Sequence, residues 1–260
     1  MKQIIFVCLL AFATFANCAK FLKEKPDFLT QCLLADPNFT KCFSKNFQGL
    51  FRNWKDGVPG LKSIGALDPL LVKKITIEHN QSPLMLNAVL SNIAITGLGT
   101  VEIVDTSLDL DKLFATATLV VPKFTMDSDY NAKGRILGLV LNSSGKLKLS
   151  AEKFVVQTKI QIKLRDEGGF TFTDIEKLHL DIKSIDSFNI FLGNLFNGQK
   201  ELEDSANALF NENWRELYQI LKPAIRRSIE TVMEDRLSKV YSYVPATFLV
   251  KDIPSAAAHG

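Results

Sequence analysis

The chain predicts an α+β fold in which a highly curved antiparallel β-sheet wraps a long C-terminal helix. Three observations point to it. No Gly occurs in residues 204–240, and apolar residues recur there as Ala206, Leu209, Phe210, Trp214, Leu217, Leu221, Ala224, Ile225, Ile229, Val232 and Val240, the three-and-four spacing of one helical face. Residues 71–192 instead alternate apolar with polar side chains, the period of strands. The helix is also too long for a round domain: about 37 residues at ~1.5 Å each span ~55 Å, whereas a compact chain of this size has a radius of gyration of only ~18 Å. An elongated partner must cover its apolar stripe.

Taken in order, residues 28–34 predict a short helix and Pro37-Asn38 a turn. Residues 39–54 predict a second helix, with Phe43, Phe47, Leu50, Phe51 and Trp54 on one face and Gly57-Val58-Pro59-Gly60 ending it. Leu67-Asp68-Pro69-Leu70 turns into the first strand. Ile75 and Ile77, Ile93 and Ile95, and Val101 and Ile103 each alternate with polar neighbours. Leu147, Leu149 and Ala151 share one parity, while Phe154, Val156, Ile160, Ile162 and Leu164 share the other, so a bulge is expected near Glu152-Lys153. Gly168-Gly169 is a hairpin turn. Phe170, Phe172, Leu178, Leu180 and Ile182 follow on one side of a strand, with His179 turned to solvent. Pro223 should kink the long helix.

The whole-chain properties bound the function. An apolar content of 47% and a charged content of 23% exclude a disordered polymer. A formal charge of +3, with no Lys/Arg block, argues against a nucleic-acid partner. Residues 1–18 read as a signal peptide: Lys2 supplies the basic start, residues 4–15 the apolar stretch, and Ala16-Asn17-Cys18-Ala19 the cleavage region, with cleavage after Cys18 favoured over Ala16 or Ala19. About a dozen apolar residues fall short of the ~20 needed to span a bilayer. The expected organisation is a single domain over residues 19–254 and a tail over 255–260, secreted to an extracellular fluid without stable membrane insertion.

Cys8 and Cys18 fall in the leader. Cys32 and Cys42 remain and should pair in an oxidising compartment. So short a loop makes the bridge worth roughly 2–3 kcal/mol. Zinc has no support there, because no His lies near the pair. Asn38-Phe39-Thr40 and Asn142-Ser143-Ser144 make Asn38 and Asn142 glycosylation candidates, while the sequon at Asn80 is weakened by Pro83.

Catalytic signatures are missing: the sequence holds no G-x-S-x-G elbow, P-loop or H-E-x-x-H. Gly97-Leu98-Gly99 fails as a dinucleotide fingerprint at its third Gly. His79, His179 and His259 are far apart, and a strand-end or surface role suits them better than a triad. Asp105, Ser107, Asp109 and Asp111 resemble the start of a calcium loop, but Leu110 and Thr116 stand where Gly and Glu are needed, so they read as a solvated acidic turn. No metal, cofactor or catalytic residue is expected. The 19 Phe residues fit either a well-filled core or an apolar cavity between sheet and helix.

Several runs in fixed order resemble the insect takeout and haemolymph juvenile-hormone-binding protein family, closer to its takeout branch. They are the Cys32-to-Cys42 segment with Asp36-Pro37-Asn38, then Gly57-Val58-Pro59 and Leu67-Asp68-Pro69-Leu70. Pro122, Asp129-Tyr130 and Lys133-Gly134 follow, then Phe210-Asn211-Glu212-Asn213-Trp214, Leu221-Lys222-Pro223 and Tyr243-Val244-Pro245. The resemblance covers essentially the whole mature chain. It implies a tubular lipid-binding fold of super-roll type and a non-catalytic, monomeric carrier with an internal tunnel for a small hydrophobic ligand, terpenoid, juvenile-hormone-like or fatty. Two departures matter. Leu139-Val140-Leu141-Asn142-Ser143-Ser144-Gly145 replaces the family's L-P-I-x-G-x-G, and the second disulfide of the true hormone carriers has no counterpart, which favours a broader takeout-type ligand.

On this reading the tunnel lining comes from Ile93, Ile95, Leu137, Leu139, Phe172 and Leu180 on strands, and from Phe210, Trp214, Leu217 and Leu221 on the helix. Tyr130 would offer a hydroxyl to a polar ligand head. Three alternatives stand beside the carrier: a lipid-transfer protein acting at membrane surfaces, which predicts an exposed apolar tip; a secreted hydrolase using His79 or His179; and an interaction module with a solid interior.

Overall fold

The computed structural model describes residues 20–82 and 84–258; the expected leader and His259 lie outside them. Helix α1 (Phe39–Asn53) forms as expected, with Phe43 buried. Residues 28–34 do not form a helix. Their backbone is drawn into pairing with the far end of the chain: the Cys32 N–H donates to the Leu249 carbonyl (2.8 Å) and the Lys251 N–H to the Cys32 carbonyl (2.9 Å). The buried Asn46 of α1 holds the same segment, its amide donating to the Thr30 carbonyl (2.6 Å) and its oxygen accepting the Thr30 N–H (2.9 Å). Cys32 and Cys42 are bonded, which ties this segment to the first turn of α1.

The sheet comprises β1 (Leu70–Gln81), β2 (Leu84–Thr96), β3 (Glu102–Asp109), β4 (Phe114–Ile136), β5 (Leu139–Glu167), β6 (Phe170–Ser184) and β7 (Ser187–Leu192). All pairings are antiparallel, in the order β1-β2-β4-β5-β6, with β3 also on β4 and β7 also on β5. Strands β4 and β5 form a spine paired from Ile136↔Leu139 to Phe114↔Gln161. Along it each flank changes partner: β4 pairs β2 over residues 125–135 and β3 over 114–120, while β5 pairs β7 over 147–152 and β6 over 155–167.

The expected phase slip is present, and it involves both spine strands. On β5 the buried residues include Leu141, Leu147 and Ala151 on one side of Lys153, then Val156, Ile160, Ile162 and Leu164 on the other. On β4 they change from Ala115, Ala117 and Val121 to Ser128, Tyr130 and Ala132. Lys153 adopts a left-handed backbone (φ 46°), and the register against β6 slips between Val155 and Val156. A local reversal of this kind bends a strand pair and curls the sheet.

The expected single helix is two, α2 (Lys200–Glu212) and α3 (Trp214–Tyr243), separated at Asn213. The side-chain amide of Asn213 donates to the Leu209 carbonyl (2.8 Å), a local bond that competes with helical continuation. Helical structure runs on through Pro223. The curled sheet wraps α3, which closes the slot between the β1 and β6 edges. On the β6 edge, Glu230 accepts the Leu180 N–H (2.9 Å) and Lys222 donates to the Ile182 carbonyl (3.2 Å). On the β1 edge, Ser228 donates to the Thr76 carbonyl (3.1 Å) and Arg236 to the Leu71 carbonyl (2.5 Å). Edge groups that would otherwise recruit another strand are thus satisfied. The described part of the tail is held as well, the Ala256 N–H donating to Asp166 (2.9 Å).

Candidate functional site

The seam between the concave sheet face and the two helices is the candidate site. Exposed residues of α3, Glu216, Gln219, Pro223, Arg227, Thr231 and Asp235, step by three and four along one stripe, which is its solvent face. The other side faces the sheet, yet only Ala224 and Tyr243 of the 30 residues are buried. Leu217, Leu221, Ile225, Ile229, Val232 and Met233 all keep accessible surface. The sheet covers this stripe but leaves part of it accessible.

Two cavities lie near the two ends of α3. One, of about 60 Å³, is almost wholly apolar and lies between α1, the C-terminal part of α3 and the sheet, with Phe43, Phe47, Ala115, Ile162 and Tyr241 in its wall. Burial pushes the Tyr241 phenol up from its ordinary value. The other is a more open groove of about 370 Å³ where β6 meets the first turns of α3, walled by Ile182, Ile185, Trp214, Tyr218 and Lys222 among others. The Tyr218 hydroxyl is buried without a hydrogen-bond partner. Burial first, then the charge of Asp181, pushes its phenol up to about 12.

The structure gathers most of the expected lining. Ile93 and Phe210 are buried in one cluster, with Ile95, Leu139, Leu217 and Leu221 packed against it. Leu180 belongs to an adjoining cluster with Ile160, Ile162 and Leu178, against which Tyr218, Ile229, Met233 and Tyr241 pack. Trp214 stacks on Phe188 (ring centroids 5.3 Å apart) and walls the groove.

Three expectations need correction. Leu137 is at the turn joining β4 and β5 and is 37% exposed, because the chain reverses there. Phe172 is fully buried, but against Phe21 and beneath the Arg165 guanidinium (4.5 Å from its ring centroid). The register slips opposite Gln161 and Ile162, leaving Glu176 as an extra residue in β6. That reverses the facing of Phe172 relative to Leu178 and Leu180. Tyr130 donates its hydroxyl to the Gly193 carbonyl (2.9 Å), so its proton serves the fold; burial raises its phenol.

Other candidates settle simply. His79 is on β1 and His179 on β6, at opposite sheet edges. His179 is 3.0 Å from Glu230 instead of pointing freely to solvent. Asp109 accepts the Lys112 N–H and pairs with its ammonium, which holds its carboxyl below the usual range. Among the described residues no group of His, Cys, Asp and Glu is placed to hold a metal. Asn38 and Asn142 are both exposed. Sequence reasoning missed Tyr218, Lys222, Ile182 and Tyr241. Tyr218 and Tyr241 carry helical spacing from Leu221 and Leu237, so a search for amphipathic tyrosines on the stripe would have found them.

Comparison with known proteins agrees with this geometry. Residues 6–251 match the family described as haemolymph juvenile hormone binding protein. The chain is 26% identical over 231 residues to the circadian clock-controlled protein daywake of Drosophila melanogaster, covering 85% of this chain and 86% of that protein. It is 25% identical to daywake of Drosophila yakuba over the same share of each. Its fold is similar to the crystal structure of Epiphyas postvittana Takeout 1, with a TM-score of 0.74 and 22% identity, covering 86% of this chain and 99% of that one.

Proposed function

The chain belongs to the haemolymph juvenile hormone binding protein family, and from that premise we propose that it is a secreted, non-catalytic, monomeric carrier that shelters one elongated hydrophobic molecule between the sheet and α3. The observation that supports this most directly is the sheet-facing stripe of α3, apolar and in contact with the sheet clusters yet left with accessible surface. A guest of about 15 methylenes at ~0.8 kcal/mol each would gain roughly 12 kcal/mol. Association costs of at least ~4 kcal/mol leave affinity near micromolar at its tightest. No bond is made or broken; capture and release follow from burial and local opening.

Mass spectrometry of organic extracts of the purified protein, together with uptake of the neutral fluorophore N-phenyl-1-naphthylamine, tests the reading. A copurified lipid or saturable uptake is expected. A protein that yields no lipid and takes up no fluorophore is not a carrier.

One observation favours the lipid-transfer alternative. Met85, Arg135 and Val140 stand in one cross-strand row beside the Leu137 turn. Met85 and Val140 are 52% and 65% exposed, giving an apolar tip with a cation in it. Flotation with anionic vesicles separates the two readings: a transfer protein cofloats, and a freely circulating carrier stays in the aqueous fraction.

A further inference from the structure

We propose that the groove beside Tyr218 receives the anionic head of an amphiphilic ligand, a carboxylate on an apolar chain. This rests on the carrier reading above and adds the class of ligand and the place, beside the first turns of α3, where its head lies. A volume of about 370 Å³ lies within the range of small-molecule sites, roughly 300–1,000 Å³. One wall is apolar, with Ile182, Ile185 and Trp214. Tyr218 and Ile185 also pack against the interior cluster that continues along α3 to Tyr241. A ligand tail leaving the groove therefore meets apolar side chains first.

The polar wall is matched to an acceptor. The Tyr218 ring walls the groove and its hydroxyl is buried without a partner, so a head group that enters with a small shift of the ring gains an unclaimed donor. Its raised phenol stays protonated in neutral solution and so remains a donor. The groove carries Lys183, Arg215 and Lys222 against the single carboxylate of Glu216. Asp181 is already engaged, by Lys183 at 2.8 Å and Lys222 at 3.2 Å. Counting Asp181 with the groove, three cations face two carboxylates, and a ligand carboxylate completes the balance. A neutral ester could accept from Tyr218 but would leave that excess charge unmatched.

Displacement of N-phenyl-1-naphthylamine by oleate and by methyl oleate, in the wild type, Tyr218→Phe and Lys222→Met, tests the proposal. The wild type should bind oleate about tenfold or more tighter than the ester, because hydrogen bonds to a charged group are the strong ones. Tyr218→Phe, which keeps the ring, and Lys222→Met, which keeps the stem, should each weaken oleate roughly five- to tenfold relative to methyl oleate measured in the same variant. Fluorophore uptake with no preference for the acid, or a preference that survives both substitutions, overturns the head-group site alone. Absence of fluorophore uptake overturns the carrier reading and this site with it.

Discussion

Asn211 of α2 and Ile190 of β7 exchange two hydrogen bonds of 2.8 Å, the amide oxygen accepting the Ile190 N–H and the amide nitrogen donating to the Ile190 carbonyl. One helical turn earlier, Asn207 does the same with Leu192, at 2.8 and 3.0 Å. Two asparagines four residues apart thus imitate a neighbouring strand along the β7 edge, and α2 docks through them. The Asn211 run noted in the sequence has a structural role here.

Asn211→Leu should lower stability by about 2–4 kcal/mol in urea denaturation, because two backbone groups lose their partner at once. It should also raise light scattering on storage, since a freed edge recruits other strands. An unchanged midpoint would show that water replaces the amide without penalty.

Lys153→Gly should raise stability by about 0.5–1 kcal/mol, and Lys153→Val should lower it by about 1–2 kcal/mol. Lys153 holds a left-handed backbone (φ 46°), which Gly adopts freely and β-branched residues resist. Its ion pair with Asp186 is between exposed side chains and contributes little. Paired urea titrations of the two variants read the sign directly.

Gly97→Ala should cost about 3 kcal/mol or more. Gly97 has φ 100°, and a Cβ there would collide with the Lys123 carbonyl of β4, so strain and overlap act together. The Asp68 carboxylate accepts the Gly97 N–H (3.1 Å) and the Gly99 N–H (2.8 Å), which leaves the turn little room to shift. Thermal unfolding checks the loss.

Acid should release the C-terminal tail before the sheet. The Asp166 carboxyl is held below 3.8 first by the Ala256 N–H and then by the Thr171 hydroxyl. Its folded-state pKa is depressed, so its contribution is present above the unfolded value and fades as pH falls through the folded one, below about pH 4. Amide exchange at Ala256, corrected for intrinsic rate, should accelerate as pH falls below about 4. In Asp166→Asn that pH dependence should vanish.

Ala115→Val should raise stability by about 1 kcal/mol, or about 2–4 °C in Tm. Ala115 borders the void of about 60 Å³ between α1, α3 and the sheet, and two added carbons fit where no atoms now make contact. Calorimetry decides it, and a lower Tm would show that the walls have already closed in.

Alternation and turn chemistry made much of the fold legible. The parity change between Ala151 and Phe154 located the bend in β5, and Gly168-Gly169 located a hairpin. The apolar stripe located the helices, but the break at Asn213 was hidden, since Asn tolerates a helix interior and its side-chain bond to Leu209 is seen only in three dimensions. Residues 28–34 have helical spacing that pairing with Val250 overrides. Phe172 was misplaced because one extra residue, Glu176, reverses a strand's facing without disturbing its composition. The apolar lining could be read from periodicity, whereas the polar groove around Tyr218 arises where β6 happens to meet α3, a proximity that no spacing along the chain encodes.

The β4–β5 ladder, in one register throughout and interrupted only opposite Pro122, also bears on how so large a sheet can assemble quickly. Its first pair, Ile136↔Leu139, closes across the two-residue turn of Leu137 and Gly138, and every later pair down to Phe114↔Gln161 is added beside one already made. Zipping outward from that tip joins distant residues without the entropy of closing a large loop. Register is chosen once, where it is least costly, and the flanking strands then find a template already aligned.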